Sequence, residues 1–131
     1  MLLDTSGLLA LVHRREPQHD AAVGAYLSAT KRITHNYVLA ELVPLAHVRG
    51  IPRKIAVEFS QRVLSTSEVE IVWVNETMHR QAVDLLFSRA DKTYSLCDAV
   101  SFLLMRQRRI SDALSSDRHF EQEGFRRLLT E

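Results

Sequence analysis

Short apolar runs alternate along this chain with longer stretches in which apolar residues recur every three or four positions. Leu2-Leu3 predicts a short strand, and residues 7–13 a helix. Residues 18–29 read as an amphipathic helix with Ala22, Tyr26 and Ala29 on one side. A brief strand at 33–34 precedes the most apolar helix, 36–48, which stops at Gly50. Pro44 inside it should remove the bond to the Ala40 carbonyl and kink the axis. Residues 52–64 predict another helix with proline in its first turn. The clearest strand is 70–74, followed by helices at 76–89 and 95–108. A short strand at 113–114 leads into Ser115-Ser116-Asp117, and a helical turn and an edge strand at 126–129 finish the chain. This alternation predicts an α/β fold, a parallel sheet wrapped by helices on both faces. Such sheets carry their sites beyond the carboxyl ends of the strands, where Asp4 and Asp117 stand.

Four acids interrupt the apolar pattern: Asp4, Glu41, Asp98 and Asp117. Glu41 is the only charge between Tyr37 and Val48, and Asp98 the only one between Tyr94 and Met105. Each aspartate has an ordinary explanation. Asp4 could cap the helix that follows it. Ser95-Leu-Cys-Asp98 fits a capping box. Asp117 could cap a short helix through His119 and Phe120. Glu41 has no such excuse, because it lies in a helix interior among Tyr37, Val38, Leu42, Leu45 and Ala46. A buried charge without partners costs several kcal/mol, so Glu41 either pairs with a base across the core or points into a polar pocket, where the other three acids are its natural company. Carboxylates gathered in one pocket repel, and some take up protons unless a cation is present. Hard oxygen donors suit magnesium or manganese. Zinc is disfavoured, since the six histidines form no His-x-x-x-His pair and Cys97 is the single cysteine. A magnesium-binding acidic pocket commonly serves phosphate chemistry.

Composition narrows the remaining options. With 131 residues, the chain is expected to be one domain, 1–131. A hydrophobic share of 46% and a charged share of 25% are ordinary globular values. The formal charge of +1 excludes an obviously basic nucleic-acid binder, leaving small clusters such as Arg14-Arg15 and Arg106 with Arg108-Arg109. One cysteine excludes an internal disulfide framework and fits a reducing compartment. No membrane span and no basic-then-apolar leader is evident, so a cytoplasmic protein is expected.

The stretches Leu-Leu-Asp4-Thr-Ser-Gly-Leu-Leu-Ala-Leu, Val-Leu-Ala-Glu41-Leu, Tyr-Ser-Leu-Cys-Asp98-Ala-Val-Ser-Phe and Leu-Ser115-Ser-Asp117-Arg-His-Phe120 together resemble the PIN-domain nucleases. The likeness is closest to the VapC-type toxins of type II toxin–antitoxin pairs, and it spans nearly the whole chain in the family's order. It implies a PIN-like fold with a short, mostly parallel sheet of four or five strands and about seven helices. It also implies that Asp4, Glu41, Asp98 and Asp117 form an acidic site for Mg²⁺ or Mn²⁺, supported by the hydroxyls of Ser6 and Ser115. Asp91 matches a further recurring acid, to which we assign a structural role. Cys97, beside Asp98 on a helix, should face elsewhere as a small buried hydrophobe. Trp73 and Phe102 read as core.

The implied activity is metal-dependent endoribonuclease cleavage, leaving a 5′-phosphate and a 3′-hydroxyl. Single-stranded or looped RNA is the favoured substrate, its backbone held by Arg14-Arg15 or by residues 106–109. The implied partners are a VapB-like antitoxin that covers the acids and a second copy of the chain. Other readings compete. A haloacid-dehalogenase-like phosphatase needs an aspartate two residues after the first, where this chain has Ser6. A receiver domain needs paired early acids and a lysine near the late strand, and neither is evident. A non-catalytic PIN-fold binding module would fit a chain lacking one of the four acids, and none is lacking.

Overall fold

In a computed structural model, residues 1–130 are described and form five strands and seven helices. In chain order these are β1 (Leu2–Leu3), α1 (Thr5–Val12), α2 (His19–Ser28), β2 (Ile33–His35), α3 (Asn36–Val48), α4 (Arg53–Ser65) and β3 (Glu70–Val72). There follow α5 (Glu76–Ser88), α6 (Leu96–Arg108), β4 (Asp112–Leu114), α7 (His119–Gln122) and β5 (Arg126–Arg127). Every strand pair is parallel, in the order β3-β2-β1-β4-β5. The α/β class and the PIN-like architecture expected from the sequence are both present.

The two-residue strand β1 organises both cores. Successive side chains on a strand point to opposite faces, so Leu2 and Leu3 separate. Leu3 packs with Leu114, Leu8, Val38, Leu42 and Ala56 beneath α1 to α4. Leu2 packs with Ala113, Ile33, Met78, Phe102 and Phe120 beneath α5 to α7. The register agrees with this sorting, because Leu2 sits opposite Ile33 and Ala113, and Leu3 opposite Leu114. Strands buried on both faces must be apolar throughout, which is why Leu2-Leu3 and Ala113-Leu114 show no alternation.

Several element boundaries shift from their expected places. The first helix begins at Thr5 rather than 7. Pro52 precedes α4 as its N-cap instead of opening its first turn. The strands at 70 and 126 end at Val72 and Arg127, short of 74 and 129. α3 runs through Pro44 as one helix. Phe102 is fully buried as expected, but Trp73 is 63% exposed. β3 is one of the sheet's two edge strands, so it lacks a neighbour on one side, and Trp73, just past the strand, faces solvent. Among the described residues no helix is long and apolar enough to cross a membrane.

Candidate active site

The order of the strands places a crevice between β1 and β4. From β1 the chain builds outward through β2 to β3, then returns to add β4 and β5 on the other side. Connections leave the sheet in opposite directions at this switch point, which opens a cleft at the carboxyl ends of the two strands. Asp4 follows β1 directly, and Ser115-Ser116-Asp117 follows β4. α6 brings its first turn, with Cys97 and Asp98, to the same end, and α3 brings Glu41.

Hydroxyls tie the two strand ends together. Ser115 Oγ donates to Asp4 Oδ2 at 2.6 Å and accepts from the Asp117 backbone N–H at 3.0 Å. Ser6 Oγ lies 3.3 Å from Ser115 Oγ and accepts from the Ser116 N–H at 3.0 Å. A serine hydroxyl has one hydrogen. With that of Ser115 committed to Asp4, Ser6 is the donor in the pair. Ser6 and Ser115 thus join the two strand ends and hold Asp4 through hydrogen bonds. Thr5 Oγ1, next to Asp4, is the only buried side-chain polar atom without a partner among the described residues.

Asp98 reconciles two explanations that the sequence left in competition. Ser95 and Asp98 form a complete capping box at the start of α6. Asp98 Oδ2 accepts from the Ser95 N–H at 3.0 Å and lies 2.8 Å from His119 Nδ1. Asp117 Oδ1 accepts from the His119 N–H at 2.9 Å and lies 3.3 Å from the same ring nitrogen. Ligand atoms of Asp98, Asp117 and His119 all lie within 4.8 Å of one another. The cap and the site are one arrangement, since a capping carboxylate needs only one oxygen for the backbone.

Electrostatics favour a cation. Burial raises the Asp4 carboxyl to about 7; the Ser115 hydrogen bond opposes this, while the charges of Asp98 and Asp117 reinforce it. Asp98 is also raised by burial and by Asp117, against the Ser95 and His119 hydrogen bonds. Burial and the Asp98 charge raise Glu41. Acids that resist ionisation when crowded bind a proton or a metal ion. Of Asp98 and Asp117, one oxygen each is engaged by the protein, leaving Asp98 Oδ1 and Asp117 Oδ2 without a protein donor among the described residues. This oxygen-rich donor set fits a hard divalent cation such as Mg²⁺ or Mn²⁺.

Two expectations need correction. Glu41 is exposed, not buried among apolar neighbours. Only Val38, Leu42 and Ala46 of its helix are buried, and the face carrying Ala40, Glu41 and Pro44 is open to solvent. Apolar residues on an exposed helix face mimicked a core. Its carboxylate nevertheless reaches the Cys97 thiol and senses Asp98. Cys97 is buried as expected, yet it does not face away from the acids. Burial and the charges of Asp4, Glu41 and Asp98 push its thiol strongly upward. Arg106 and Arg108, expected among the residues that could hold the RNA backbone, are exposed and lie away from the acids. They sit at the far end of α6, roughly 12 Å or more along the axis from Asp98, and pair with Glu123 and Glu70. Asp91 is exposed beside Lys92, 3.5 Å away. His119 was missed as a site residue, although its place two residues after Asp117 on a strand-end loop offered the signal.

The PIN domain family model matches residues 1–125. The 23S rRNA-specific endonuclease VapC20 of Mycobacterium tuberculosis is 31% identical over 126 residues, covering 95% of each chain. Ribonuclease VapC26 of the same organism is 32% identical over 124 residues, covering 92% of this chain and 89% of that protein. The crystal structure of M. tuberculosis VapC20, described as a sarcin-ricin loop cleaving toxin, superposes with a TM-score of 0.86 at 28% identity over 95% of both chains. With the strand-end acids, the five-stranded parallel sheet and these matches in agreement, the chain belongs to the PIN-domain family.

Proposed function

We propose that this protein is a VapC-type toxin, a metal-dependent endoribonuclease acting through Asp4, Glu41, Asp98 and Asp117. The observation that carries this reading is the convergence of three buried or half-buried aspartates on the β1–β4 crevice, with Asp4 held near neutrality by burial and its acidic neighbours. A divalent ion bound there would neutralise the scissile phosphate and make water a better nucleophile. The protein's own part is to orient the acids. Ser115 and Ser6 fix Asp4 against Asp117, and the α6 capping box fixes Asp98. Glu41 is solvent-accessible and its carboxylate is influenced by the Asp98 charge, which supports assigning it to orient the attacking water or share the cation. The names of the relatives make a ribosomal RNA loop the first substrate to try.

The proposed partners have candidate seats. An apolar groove of about 260 Å³ between α1, α2 and α4 is lined by Leu8, Leu11, Tyr26, Phe59, Val63 and Val69. It suits one apolar face of an antitoxin helix, whose basic side chain would then occlude the acids. Exposed Trp73, Val83 and Phe87 suit a second copy of the chain. A toxin–antitoxin complex that kept full nuclease activity would sink the occlusion idea.

The deciding experiment is cleavage of a pool containing ribosomal, transfer and messenger RNA by purified protein, with Mn²⁺ or Mg²⁺ and then with chelator. Asp98→Asn runs alongside. We expect cutting that chelator and Asp98→Asn both abolish. Equal cutting by folded Asp98→Asn, or cutting that survives chelation, would overturn the reading.

A further inference from the structure

We propose that His119 is a positioning residue, which pins one oxygen of Asp98 so that the other is presented to the cation. This rests on the metal-dependent reading above. Its basis is the unequal use of the two Asp98 oxygens. Oδ2 receives both the Ser95 N–H at 3.0 Å and His119 Nδ1 at 2.8 Å, whereas Oδ1 has no protein donor among the described residues. An ionised carboxylate only accepts, so Nδ1 carries the hydrogen and the ring acts as donor rather than ligand. Nε2 of a neutral ring then accepts from the Thr93 hydroxyl, 3.0 Å away.

The ring is itself held from several sides. Its backbone N–H is bound by Asp117 Oδ1 at 2.9 Å, and the Tyr94 ring meets it edge-on, with centroids 5.2 Å apart. Thr93 and Tyr94 belong to the segment leading into α6, and His119 opens α7. The imidazole therefore bridges the loop before Asp98 and the loop carrying Asp117. Two acids from different parts of the chain are given a common orientation by one side chain. Without that donor, Asp98 would keep its cap to Ser95 but could rotate about it, and both oxygens would compete for the backbone.

The test is calorimetric titration of the full-length, metal-free protein with Mn²⁺, together with the Mn²⁺ dependence of RNA cleavage, for wild type, His119→Ala and His119→Asn. Loss of an outer hydrogen bond to a metal ligand typically costs roughly 10- to 100-fold in affinity. We expect His119→Ala to weaken Mn²⁺ binding by about that factor. The Mn²⁺ concentration for half-maximal cleavage should rise in step, with the rate recovered at saturating metal. His119→Asn, whose amide N–H can reach the same oxygen, should regain most of the affinity. Unchanged Mn²⁺ binding in folded His119→Ala would overturn the proposal. So would His119→Asn behaving as badly as His119→Ala, which would make the imidazole a direct ligand. If His119→Ala does not fold, Thr93→Val carries the test, and unchanged Mn²⁺ affinity there together with failed rescue by asparagine counts against the proposal. Wild type that binds Mn²⁺ yet cuts no RNA would sink the nuclease reading alone, because the binding comparison still decides the role of His119.

Discussion

Ser115 and Asp4, 111 positions apart in sequence, are joined by a 2.6 Å hydrogen bond that locks the ends of the two central strands together. The hydroxyl serves three groups at once, donating to Asp4 while accepting from Ser6 and from the Asp117 N–H. Removing it should leave a buried carboxylate without its donor and a backbone N–H without its acceptor. Unsatisfied buried groups of this kind cost about 1–3 kcal/mol. Ser115→Ala is expected to lower the melting temperature by several degrees and to weaken Mn²⁺ binding. A variant with wild-type melting and wild-type Mn²⁺ affinity would show that the brace is dispensable.

Asp4 sets a pH dependence with a definite sign. Its folded-state value, raised to about 7 from 3.8, means that the folded protein holds a proton which the unfolded chain has released. Where the folded state binds more protons, stability falls as pH rises, here from about 4 to about 7. Buried His35 acts oppositely: burial lowers it to about 4, so its contribution is lost as pH falls below 6.5. The two slopes oppose each other between pH 4 and 6.5. In metal-free protein, Asp4→Asn removes one falling slope while those of Asp98 and Glu41 remain, so its melting temperature should fall less with pH than that of wild type, and its advantage over wild type should be largest at pH 8. Parallel melting curves for the two proteins from pH 4 to 8 would contradict this. Mn²⁺ added at pH 8 should stabilise wild type more than Asp4→Asn, because the ion takes the place of the proton.

Gly7 is where α1 lies closest to the sheet. A Cβ at this position would come within 2.0 Å of the Leu114 carbonyl oxygen, a backbone atom that no side-chain movement can clear. Gly7→Ala must push α1 off β4 and so separate Ser6 from Ser115. Overpacking typically costs about 1–3 kcal/mol, and more where backbone has to move. We expect a melting temperature lower by several degrees, at roughly 3 °C or more per kcal/mol, or failure to fold. Unchanged melting would mean that α1 sits farther from β4.

Glu123 provides a stability test away from the acids. Its side chain is 4% exposed and takes hydrogen bonds from Arg89, Arg106 and the Tyr94 hydroxyl. It thereby clamps the end of α5, α6, the turn after α7 and the loop before α6. Glu123→Ala leaves two arginines facing each other without their common partner. Since both remain partly solvated, the cost should be about 2 kcal/mol, below that of a fully buried pair. Denaturant unfolding should register this as a lower midpoint with an unchanged slope. Mn²⁺ affinity should fall only modestly, through the Tyr94–His119 ring contact.

The α/β class, the order of the elements and three of the acids were legible because each depends on local pattern. Continuous apolar pairs mark strands buried on both faces, and aspartates directly after them mark strand ends. Which face of α3 is buried was not legible, because alanine and proline are tolerated on either face. Glu41 therefore looked buried and is exposed, and Trp73 looked like core because nothing in its flanks reveals an edge strand. Cys97 and Asp98, adjacent on one helix, were expected to diverge, but Cys97, although packed in the apolar core, still lies within electrostatic reach of Asp4, Glu41 and Asp98. The sequence by itself determined the chemistry available: hard carboxylate oxygens, hydroxyl supports and one cysteine. Only the tertiary structure decided which groups share a hydrogen bond. His119 meets Asp98, and Ser115 meets Asp4, through parallel strand pairing and helix packing. Contacts between residues 21 and 111 positions apart arise from how elements pack, and no local pattern encodes them.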